Sequence, residues 1–434
     1  MTLAKVKLWG RTIGAVSWDE SVGLAAFEYA PSFLDSGIEV APRTMALTDQ
    51  IYSFPALPRE TFHGLPALLA DSLPDDFGNA LIDAWLARQG RDAESFNAVE
   101  RLCYTGSRGM GALEYVPSRG PSGTKSTRLE VQELVELASE ILTWRNGLRG
   151  SFASPEREDA LQDILLVGTS AGGARAKAII AWNPDTNEVR SGQVDAGPAF
   201  SYWLLKFDGV SGNKDKELAD PAGYGLIEYA YYKMALEAGI HMKECRLLEE
   251  SHRRHFMTRR FDRTDSGAKI HMLSLGAMEH FDFKKAGAHS YEQALRTIRE
   301  LEMPMDNIEE QFRRAAFNIV ARNHDDHVKN IAFLMDRAGT WSLSPAFDVT
   351  YSYNPTGEWT STHQMTLNGK RDHFDLEDFE ACSKNASMKR GRAKDILRQV
   401  QDAVSKWREF ASAAGIRNDV ADNIANTHRM DILG

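Results

Sequence analysis

The sequence predicts a mixed α/β (α+β) fold in which an N-terminal β-rich domain precedes a core of two lobes. At 434 residues with 43% hydrophobic content, the chain is too long for one ordinary hydrophobic core. Its first part contains short apolar runs typical of strands, and a later stretch repeats apolar residues at helical spacing. The Ser-, Gly- and Pro-rich residues 118–127 separate the first domain from the core.

Residues 1–117 form the predicted N-terminal domain. The runs VKLWG, TIGAVSW and LAAFEYA predict strands, and ALIDAWLARQG predicts a helix among them. The glycine-rich sequence GSRGMGALEY, residues 106–115, is superficially similar to a phosphate-binding loop, but we expect a tight hairpin there. Beyond the linker, residues 129–143 predict an amphipathic helix.

The first part of the core, residues 128–305, contains a second loop of small residues. The sequence DILLVGTSAGGARAKAIIAW predicts a strand, this loop and another strand. Gly173 is followed by Ala174 rather than Lys, which excludes a Walker A loop. The GxSxG pattern of a serine hydrolase is present around Ser170, but that motif needs a helix after the serine. A loop whose backbone N–H groups bind phosphates fits better, and an ordinary hairpin loop stays open as the alternative.

The remaining core elements follow from hydrophobic patterns. SYWLLKFD (201–208) predicts a strand that carries Lys206, residues 225–240 predict a helix, and FMTRRFDR (256–263) predicts a strand. We assign residues 306–434 to a helical lobe. From Glu309 onward, apolar residues fall on one face of a helix that we expect to end near Arg322. The polar sequence NHDDHVKN and a pair of strands come next.

The polar loop predicts phosphoryl transfer. Asp325 and Asn330 are five residues apart, which is the spacing of the catalytic Asp and the metal-binding Asn in kinases, and Asp348 follows an apolar run. Asp325 would accept the proton of the substrate hydroxyl, and Asn330 and Asp348 would bind Mg²⁺. Lys206 would contact the nucleotide phosphates. A shift of the assignment to Asp326 stays open, although the step to Asn330 favours Asp325.

Other kinds of site have less support. Residues 324–327, HDDH, offer four metal ligands but have no further ligands at the spacing of a structural zinc site. Cys103, Cys245 and Cys382 are far apart and form no CxxC pair, so neither a disulfide framework nor a cysteine zinc site is predicted. We expect buried free thiols.

The overall charge limits the partners. A formal net charge of −10 argues against nonspecific coating of nucleic acid. The basic stretch Lys384 to Arg398 could contact DNA, and a solvated helix face explains it equally well. The N-terminus does not look like a secretory signal, and no apolar run approaches the roughly 20 residues of a membrane span. We therefore expect a soluble, cytoplasmic protein.

Taken together, these segments resemble the HipA family of bacterial toxin kinases, whose core is similar to protein kinases and phosphoinositide kinases. The resemblance covers nearly the whole chain. VKLWGRTIGAVSW and LLADSLPDDFGNALI resemble the family's amino-terminal domain, and HDDHVKN and SPAFD resemble its catalytic-loop and metal-binding motifs. The resemblance implies a kinase-like, two-lobed core that uses ATP and Mg²⁺ to phosphorylate serine or threonine.

The resemblance also implies individual roles. Asp325 matches the catalytic aspartate, and Asn330 and Asp348 match the metal ligands. The positions that match ATP-binding residues lie in the small-residue loop, on the following strands, in the connector TRRFDR (258–263), which receives the adenine in the family, and in the HDDHVKN and SPAFD motifs: Gly172, Gly173, Ala174, Arg175, Ala176, Lys177, Lys206, Arg259, Arg260, Phe261, His327, Val328, Lys329, Asn330, Phe347 and Asp348. Ser170 matches a serine that is autophosphorylated in the family, with Thr169 as the nearest rival acceptor. A phosphate there would add about −1.5 to −2 charges and expel the loop from the ATP pocket.

The family resemblance further implies a toxin–antitoxin pair. The expected partners are a HipB-like helix-turn-helix antitoxin, operator DNA bound through that antitoxin, and a protein substrate such as an aminoacyl-tRNA synthetase, with growth arrest as the outcome. The sequence departs from the family at Arg175 and Ala176, where an amide and a carboxylate are common, and at Asp326, where glycine is usual. Three alternatives stay open: a small-molecule kinase, a catalytically weak corepressor in a DNA-bound complex, and a serine hydrolase that uses Ser170.

Overall fold

The computed structural model divides the chain into two compact units. Unit 1 comprises Met1–Ala222, Leu248–Leu273 and Met335–Thr340, and unit 2 comprises Gly223–Leu247, Ser274–Leu334 and Trp341–Gly434. The structure describes residues 2–121, 128–144, 155–168, 175–210, 214–215, 218–219, 223–250 and 252–433. The predicted mixture of helices and sheets is confirmed. The three-part division at residues 117, 128 and 306 stays a prediction.

Unit 1 begins with a five-stranded antiparallel sheet. Its strands are β1 (Thr2–Leu8), β2 (Arg11–Asp19), β3 (Leu24–Tyr29), β4 (Ile51–Tyr52) and β5 (Leu113–Val116), in the order β4-β3-β2-β1-β5. Alternate residues of β1 are buried, as expected for a sheet with one covered face. Trp9 and Gly10 connect β1 to β2 with φ values of 50° and 83°, which is the backbone geometry that two-residue hairpins favour.

Five helices lie between β3 and β5. They are α1 (Pro31–Leu34), α2 (Arg59–Phe62), α3 (Ala67–Ala70), α4 (Asp76–Arg88) and α5 (Ala98–Thr105). Asn97 and Glu100 form a capping box at the start of α5. The glycine-rich residues after Thr105 therefore connect a helix to β5, and the tight hairpin predicted at 106–115 is wrong.

A second five-stranded sheet follows, built largely from residues of unit 1. The chain forms α6 (Val131–Trp144), α7 (Pro155–Val167), β6 (Lys177–Trp182), β7 (Val189–Ser191), β8 (Ser201–Lys206), β9 (Lys214–Asp215), β10 (Leu218–Ala219), β11 (Cys245–Glu250), β12 (Arg253–Arg259) and β13 (His271–Ser274). The sheet order is β11-β12-β8-β6-β7, and β9 pairs with β10. Every residue of β6 is buried because one hydrophobic cluster joins this strand to α4, α6 and α7.

The strand predicted at residues 163–168 is wrong, because α7 continues to Val167. Leu161, Ile164 and Leu165 are buried at helical spacing. The predicted small-residue loop, with Thr169, Ser170, Gly172, Gly173 and Ala174, lies outside the described residues. A helix precedes it and strand β6 follows it, which is the reverse of the strand–serine–helix order that a hydrolase nucleophile requires.

Unit 2 is mainly helical. Its helices are α8 (Tyr224–Glu237), α9 (Leu275–Glu279), α10 (Tyr291–Glu300), α11 (Met305–Val320), α12 (Leu376–Asn385), α13 (Arg392–Ser405), α14 (Trp407–Ala414) and α15 (Asn418–Ala425). Its short strands are β14 (His289–Ser290), β15 (Ala332–Met335), β16 (Trp341–Leu343) and β17 (Met365–Thr366), with β14 parallel to β17. Helix α11 packs between α10 and α13 and buries the apolar face predicted from its sequence.

Two further expectations concern the whole chain. Cys103, Cys245 and Cys382 are buried thiols that form no disulfide, as predicted. Among the described residues, no helix combines the length and the apolar character that crossing a bilayer requires.

Candidate active site

The polar loop that connects α11 to β15 contains the predicted catalytic residues. Helix α11 is buried from Gln311 to Val320 apart from the half-buried Asn318, so its end at Val320 fixes where the loop begins. A turn of 3₁₀ helix, Val328–Asn330, closes the loop, and the N–H of Asn330 donates to the carbonyl of His327 at 2.9 Å. Val328 is buried, which anchors this turn in the core of unit 2. The loop is therefore held at both ends by rigid structure.

Asp325 presents a partly exposed and oriented carboxylate. Its side chain is 31% exposed, and His327 Nε2 lies 3.7 Å from Oδ1. The backbone N–H of Asp325 donates to Ser352 Oγ at 2.9 Å, and this hydroxyl donates to Asn323 Oδ1 at 2.9 Å. The indole N–H of Trp359 donates to Asp325 Oδ1 at 3.1 Å. The carboxylate is thus accessible and at the same time restrained, as a general base must be.

Asn330 is coupled directly to Asp325. Its Nδ2 donates to the backbone carbonyl of Asp325 at 2.8 Å. Because the amide nitrogen makes this contact, Oδ1 is the atom of Asn330 that can act as a cation ligand.

Asp348 has an unusual backbone conformation. Its φ of 53° lies in the left-handed region, which residues other than glycine rarely adopt. Such conformations cost about 1–3 kcal/mol and occur preferentially at active sites and ligand-binding sites. Asp348 and Asn330 line one cavity in unit 2, together with Asp326, His327 and Phe347.

The donor set of this cavity fits Mg²⁺. One carboxylate and one amide oxygen are hard ligands, and Mg²⁺ commonly takes only one or two carboxylates and completes its coordination with water and phosphate oxygens. In the part of the chain that the structure describes, no group of three or more His, Cys, Asp or Glu residues could hold a metal.

Asp326 has a different environment from its neighbour. Its side chain is 0% exposed, and its carboxylate accepts hydrogen bonds from Tyr291 Oη at 2.6 Å, His363 Nδ1 at 2.8 Å and the Gln364 N–H at 2.7 Å. Burial alone would raise the pKa of Asp326, but His363 and these donors outweigh burial and hold the pKa below its usual value. The Asp326 carboxylate is thus committed to three protein donors, whereas the Asp325 carboxylate is partly exposed.

The buried network extends to the C-terminal segment. His363 Nε2 lies 2.9 Å from a guanidinium nitrogen of Arg429, and Arg429 also pairs with Asp372. The N–H of Arg429 donates to the carbonyl of Val320 at 2.9 Å, at the end of α11. Burial lowers the pKa of His363, which fits a neutral ring that donates from Nδ1 and accepts at Nε2. The segment after α15 therefore helps to fix the loop.

The predicted lysines of unit 1 have contrasting environments. Lys206, on β8, is half-buried, and its Nζ lies 5.7 Å from the centre of the Phe256 ring. Lys177 is opposite Lys206 across the ladder of β6 and β8, is 3% exposed, and forms an ion pair of 2.9 Å with the buried Asp75. Lys177 thus has a buried carboxylate partner within unit 1. Of the preceding predicted positions, Arg175 is half-buried and Ala176 is buried.

In the predicted connector, Arg260 and Phe261 are buried and make contacts within the protein. Arg260 is 4% exposed and donates twice to Asp262, at 2.8 and 2.6 Å, and Phe261 is buried. Asp262 also accepts a hydrogen bond of 2.7 Å from the Gly111 N–H, which ties the glycine-rich residues of the N-terminal sheet to the connector. Arg259 is about one-third exposed. Of the three predicted connector residues, Arg259 is the most accessible to a ligand.

The sequence patterns predict no role for four residues that surround the loop: Ser352, Trp359, His363 and Arg429. The first three lie between Asp348 and β17, in a segment that has no helical or strand period. Trp359 is 34 residues from Asp325, and Arg429 is 66 residues from His363. A buried polar partner at such a distance along the chain has no local sequence signature.

These features define a mixed α/β protein. Its mainly helical unit contains both the loop with Asp325 and Asn330 and a second aspartate, Asp348. The chain belongs to the HipA family. The HipA-like C-terminal domain matches residues 169–407, and the HipA N-terminal domain matches residues 4–116.

Comparison with solved structures supports the fold. A chain from the complex of the Shewanella oneidensis MR-1 toxin–antitoxin system HipA, HipB and its operator DNA is similar over 98% of this chain and 94% of that chain, with a TM-score of 0.67 and 16% identity. The Helicobacter pylori proinflammatory kinase CtkA matches 49% of this chain and 90% of that chain, with a TM-score of 0.32 and 11% identity. A comparison with curated protein sequences gave no significant match.

Proposed function

We propose that this chain is an ATP- and Mg²⁺-dependent serine/threonine protein kinase that acts as the toxin of a HipBA-like toxin–antitoxin pair. The observation that carries the proposal is the 2.8 Å hydrogen bond from Asn330 Nδ2 to the Asp325 carbonyl, because it couples the candidate base to a cavity that Asn330 shares with Asp348. Membership of the HipA family supports the toxin setting.

In the proposed reaction, Asp325 accepts the proton of a serine or threonine hydroxyl as the hydroxyl oxygen bonds to the γ-phosphorus of ATP. The bond from that phosphorus to the bridging oxygen breaks, and ADP leaves. Asn330 Oδ1 and the Asp348 carboxylate would hold Mg²⁺, which neutralises charge on the phosphates when bound. A positioned general base contributes about 10²- to 10⁴-fold to such a reaction.

The predicted ATP-binding residues differ in how well their surroundings allow contact with a nucleotide. Lys206 is the proposed phosphate contact, and its half-buried ammonium is compatible with that role. Lys177 and Arg260 have buried carboxylate partners, so we assign them supporting rather than ligand-binding roles. We retain Ser170 as the proposed site of autophosphorylation on family grounds, although it lies outside the described residues.

The proposed partners are a HipB-like antitoxin, operator DNA bound through it, and a translation-related protein substrate. A direct DNA contact from Lys384–Arg398 is supported by the exposure of five basic side chains there: Lys384, Lys389, Arg390, Lys394 and Arg398. Arg392 instead pairs with Glu309 at 2.7 Å. Neutralising Lys389 and Lys394 with Gln should reduce the salt dependence of operator binding by the antitoxin complex. An unchanged dependence would remove this contact from the proposal.

The kinase proposal is tested by incubating the purified chain with γ-labelled ATP, Mg²⁺ and a bacterial lysate. We expect label on a serine or threonine of a lysate protein and on Ser170, and none with Asp325→Asn or after chelation of Mg²⁺. Asp402→Asn, an exposed aspartate on α13, is the matched control and should behave like the wild type. Label on a metabolite alone would favour a small-molecule kinase, and no label at all would favour a corepressor.

A further inference from the structure

The segment between Asp348 and β17, residues 350–364, runs along the polar loop, and we call it the brace. Ser352 Oγ accepts a hydrogen bond from the Asp325 N–H at 2.9 Å. The carbonyl of Thr360 is 2.9 Å from Nδ1 of the buried His324. The brace therefore binds two consecutive loop residues through contacts that do not involve a carboxylate.

Two further contacts reach the aspartates themselves. The backbone N–H of Gln364 donates to Asp326 at 2.7 Å, and the side-chain amide of Gln364 donates to the carbonyl of Trp359. The indole N–H of Trp359 then donates to Asp325 Oδ1 at 3.1 Å. Gln364 thus hydrogen-bonds both the loop and the Trp359 backbone. This pair of contacts holds the indole of Trp359 next to the Asp325 carboxylate.

The chemistry of the indole determines what this contact can do. An indole N–H only donates, and it neither accepts a hydrogen bond nor exchanges its role with pH. Its contact with Oδ1 of Asp325 restrains the carboxylate plane and leaves Oδ2 as the oxygen to accept a further proton. A catalytic group must be held within about 0.5 Å of its productive position, and a displacement of about 1 Å can cost 10²-fold in rate.

We propose that Trp359 is a positioning residue for phosphoryl transfer, holding Oδ1 of Asp325 so that Oδ2 receives the proton of the acceptor hydroxyl. This inference rests on the proposed kinase function. In this role Trp359 acts through Asp325, and it does not line the cavity that Asn330 shares with Asp348, so the turnover rate and the affinity for ATP should respond differently when the N–H is removed.

Trp359→Phe tests the proposal because it keeps an aromatic ring and removes the donor. We expect kcat to fall by about 10- to 100-fold. The KM for MgATP should stay within about twofold of the wild-type value, and the urea midpoint of unfolding should equal that of the wild type within experimental error. Trp9→Phe is the matched control. It removes an indole N–H that donates to the Lys269 carbonyl at 2.9 Å within unit 1, and it should leave kcat unchanged.

The outcomes are distinguishable. A kcat for Trp359→Phe equal to that of the wild type, measured where Asp325→Asn is inactive, would overturn the positioning role and leave the kinase proposal standing. A rise in kcat would also overturn it, because the indole would then obstruct the carboxylate. A wild-type chain without transferase activity would overturn both proposals.

Discussion

Asp325 and Asp326 are adjacent in sequence, and the structure predicts that equivalent substitutions at the two positions have opposite consequences. Asp325 has a side chain that is 31% exposed, and the side chain of Asp326 is fully buried. Asp325→Asn should abolish most activity and leave the fold intact, whereas Asp326→Asn should destabilise the fold. Each replacement keeps the size of the side chain and removes one charge, so the two variants are matched controls for each other.

The loss of stability expected for Asp326→Asn follows from the three hydrogen-bond donors that surround the Asp326 carboxylate. A carboxylate accepts from Tyr291, His363 and the Gln364 N–H together. An amide has one oxygen, and its NH₂ group would face one of these donors, leaving that donor unsatisfied. Losing a charge-assisted hydrogen bond costs about 1.5–3 kcal/mol, and a buried unsatisfied donor costs about 1–3 kcal/mol. We therefore expect the free energy of unfolding to fall by about 3–5 kcal/mol.

At Asp325 the expected pattern is reversed. A substitution on a partly exposed side chain usually changes the free energy of unfolding by less than about 0.5 kcal/mol, whereas loss of a general base lowers the rate by about 10²- to 10⁴-fold. Urea unfolding and phosphate transfer from labelled ATP measure the two quantities on the same preparations. Equal destabilisation of both variants, or full activity in Asp325→Asn, would refute the assignment of the two aspartates.

Three other predictions address the metal, the buried lysine and a buried histidine. Asp348→Ala should weaken calorimetric binding of ATP in the presence of Mg²⁺ and leave binding in EDTA unchanged; equal loss in both conditions would contradict a metal role. Lys177→Met and Asp75→Asn should each destabilise the chain by about 3–5 kcal/mol, and the double variant by less than their sum; simple additivity would deny the buried ion pair. Burial lowers the pKa of His271 to about 4, below its unfolded value near 6.5, so the unfolded chain binds the extra proton first and stability falls as the pH drops through this interval. Between pH 7 and pH 5 the wild type should therefore lose about 2 kcal/mol more than His271→Gln, and parallel pH profiles for the two proteins would contradict this origin.

The elements predicted best are those with a long, regular hydrophobic period. Phe312, Ala315 and Ile319 define the buried face of α11, and the helix ends at Val320, close to the expected Arg322. The wrong prediction at residues 163–168 arose because an apolar run of that length fits a buried strand or the end of a helix equally well. The preceding sequence PEREDALQ, with Pro155 at the first helical position, was the overlooked indication of a helix.

In the candidate site, too, local features could be predicted from the sequence, and features that depend on the tertiary fold could not. The spacing of Asp325 and Asn330 is local and could be recognised in the sequence, and the structure adds a hydrogen bond between the two residues. Their catalytic and metal-binding roles stay predictions. The difference between Asp325 and Asp326 is not local, because His363 is 37 residues away and reaches Asp326 only through the tertiary fold. Burial and hydrogen-bond satisfaction, which distinguish two identical residue types, are properties of packing that a sequence pattern does not contain.

In the proposed kinase, Asn330 and Asp348 hold the metal of a nucleotide next to Asp325. A crystal structure of the Asp325→Asn chain with a non-hydrolysable ATP analogue and Mn²⁺ in place of Mg²⁺ tests it most directly, because anomalous scattering locates the metal. We predict an anomalous peak within about 2.5 Å of Asn330 Oδ1 and of an Asp348 carboxylate oxygen, with phosphate oxygens completing the coordination. A metal bound elsewhere, or a nucleotide bound away from these two side chains, would refute the proposed metal site.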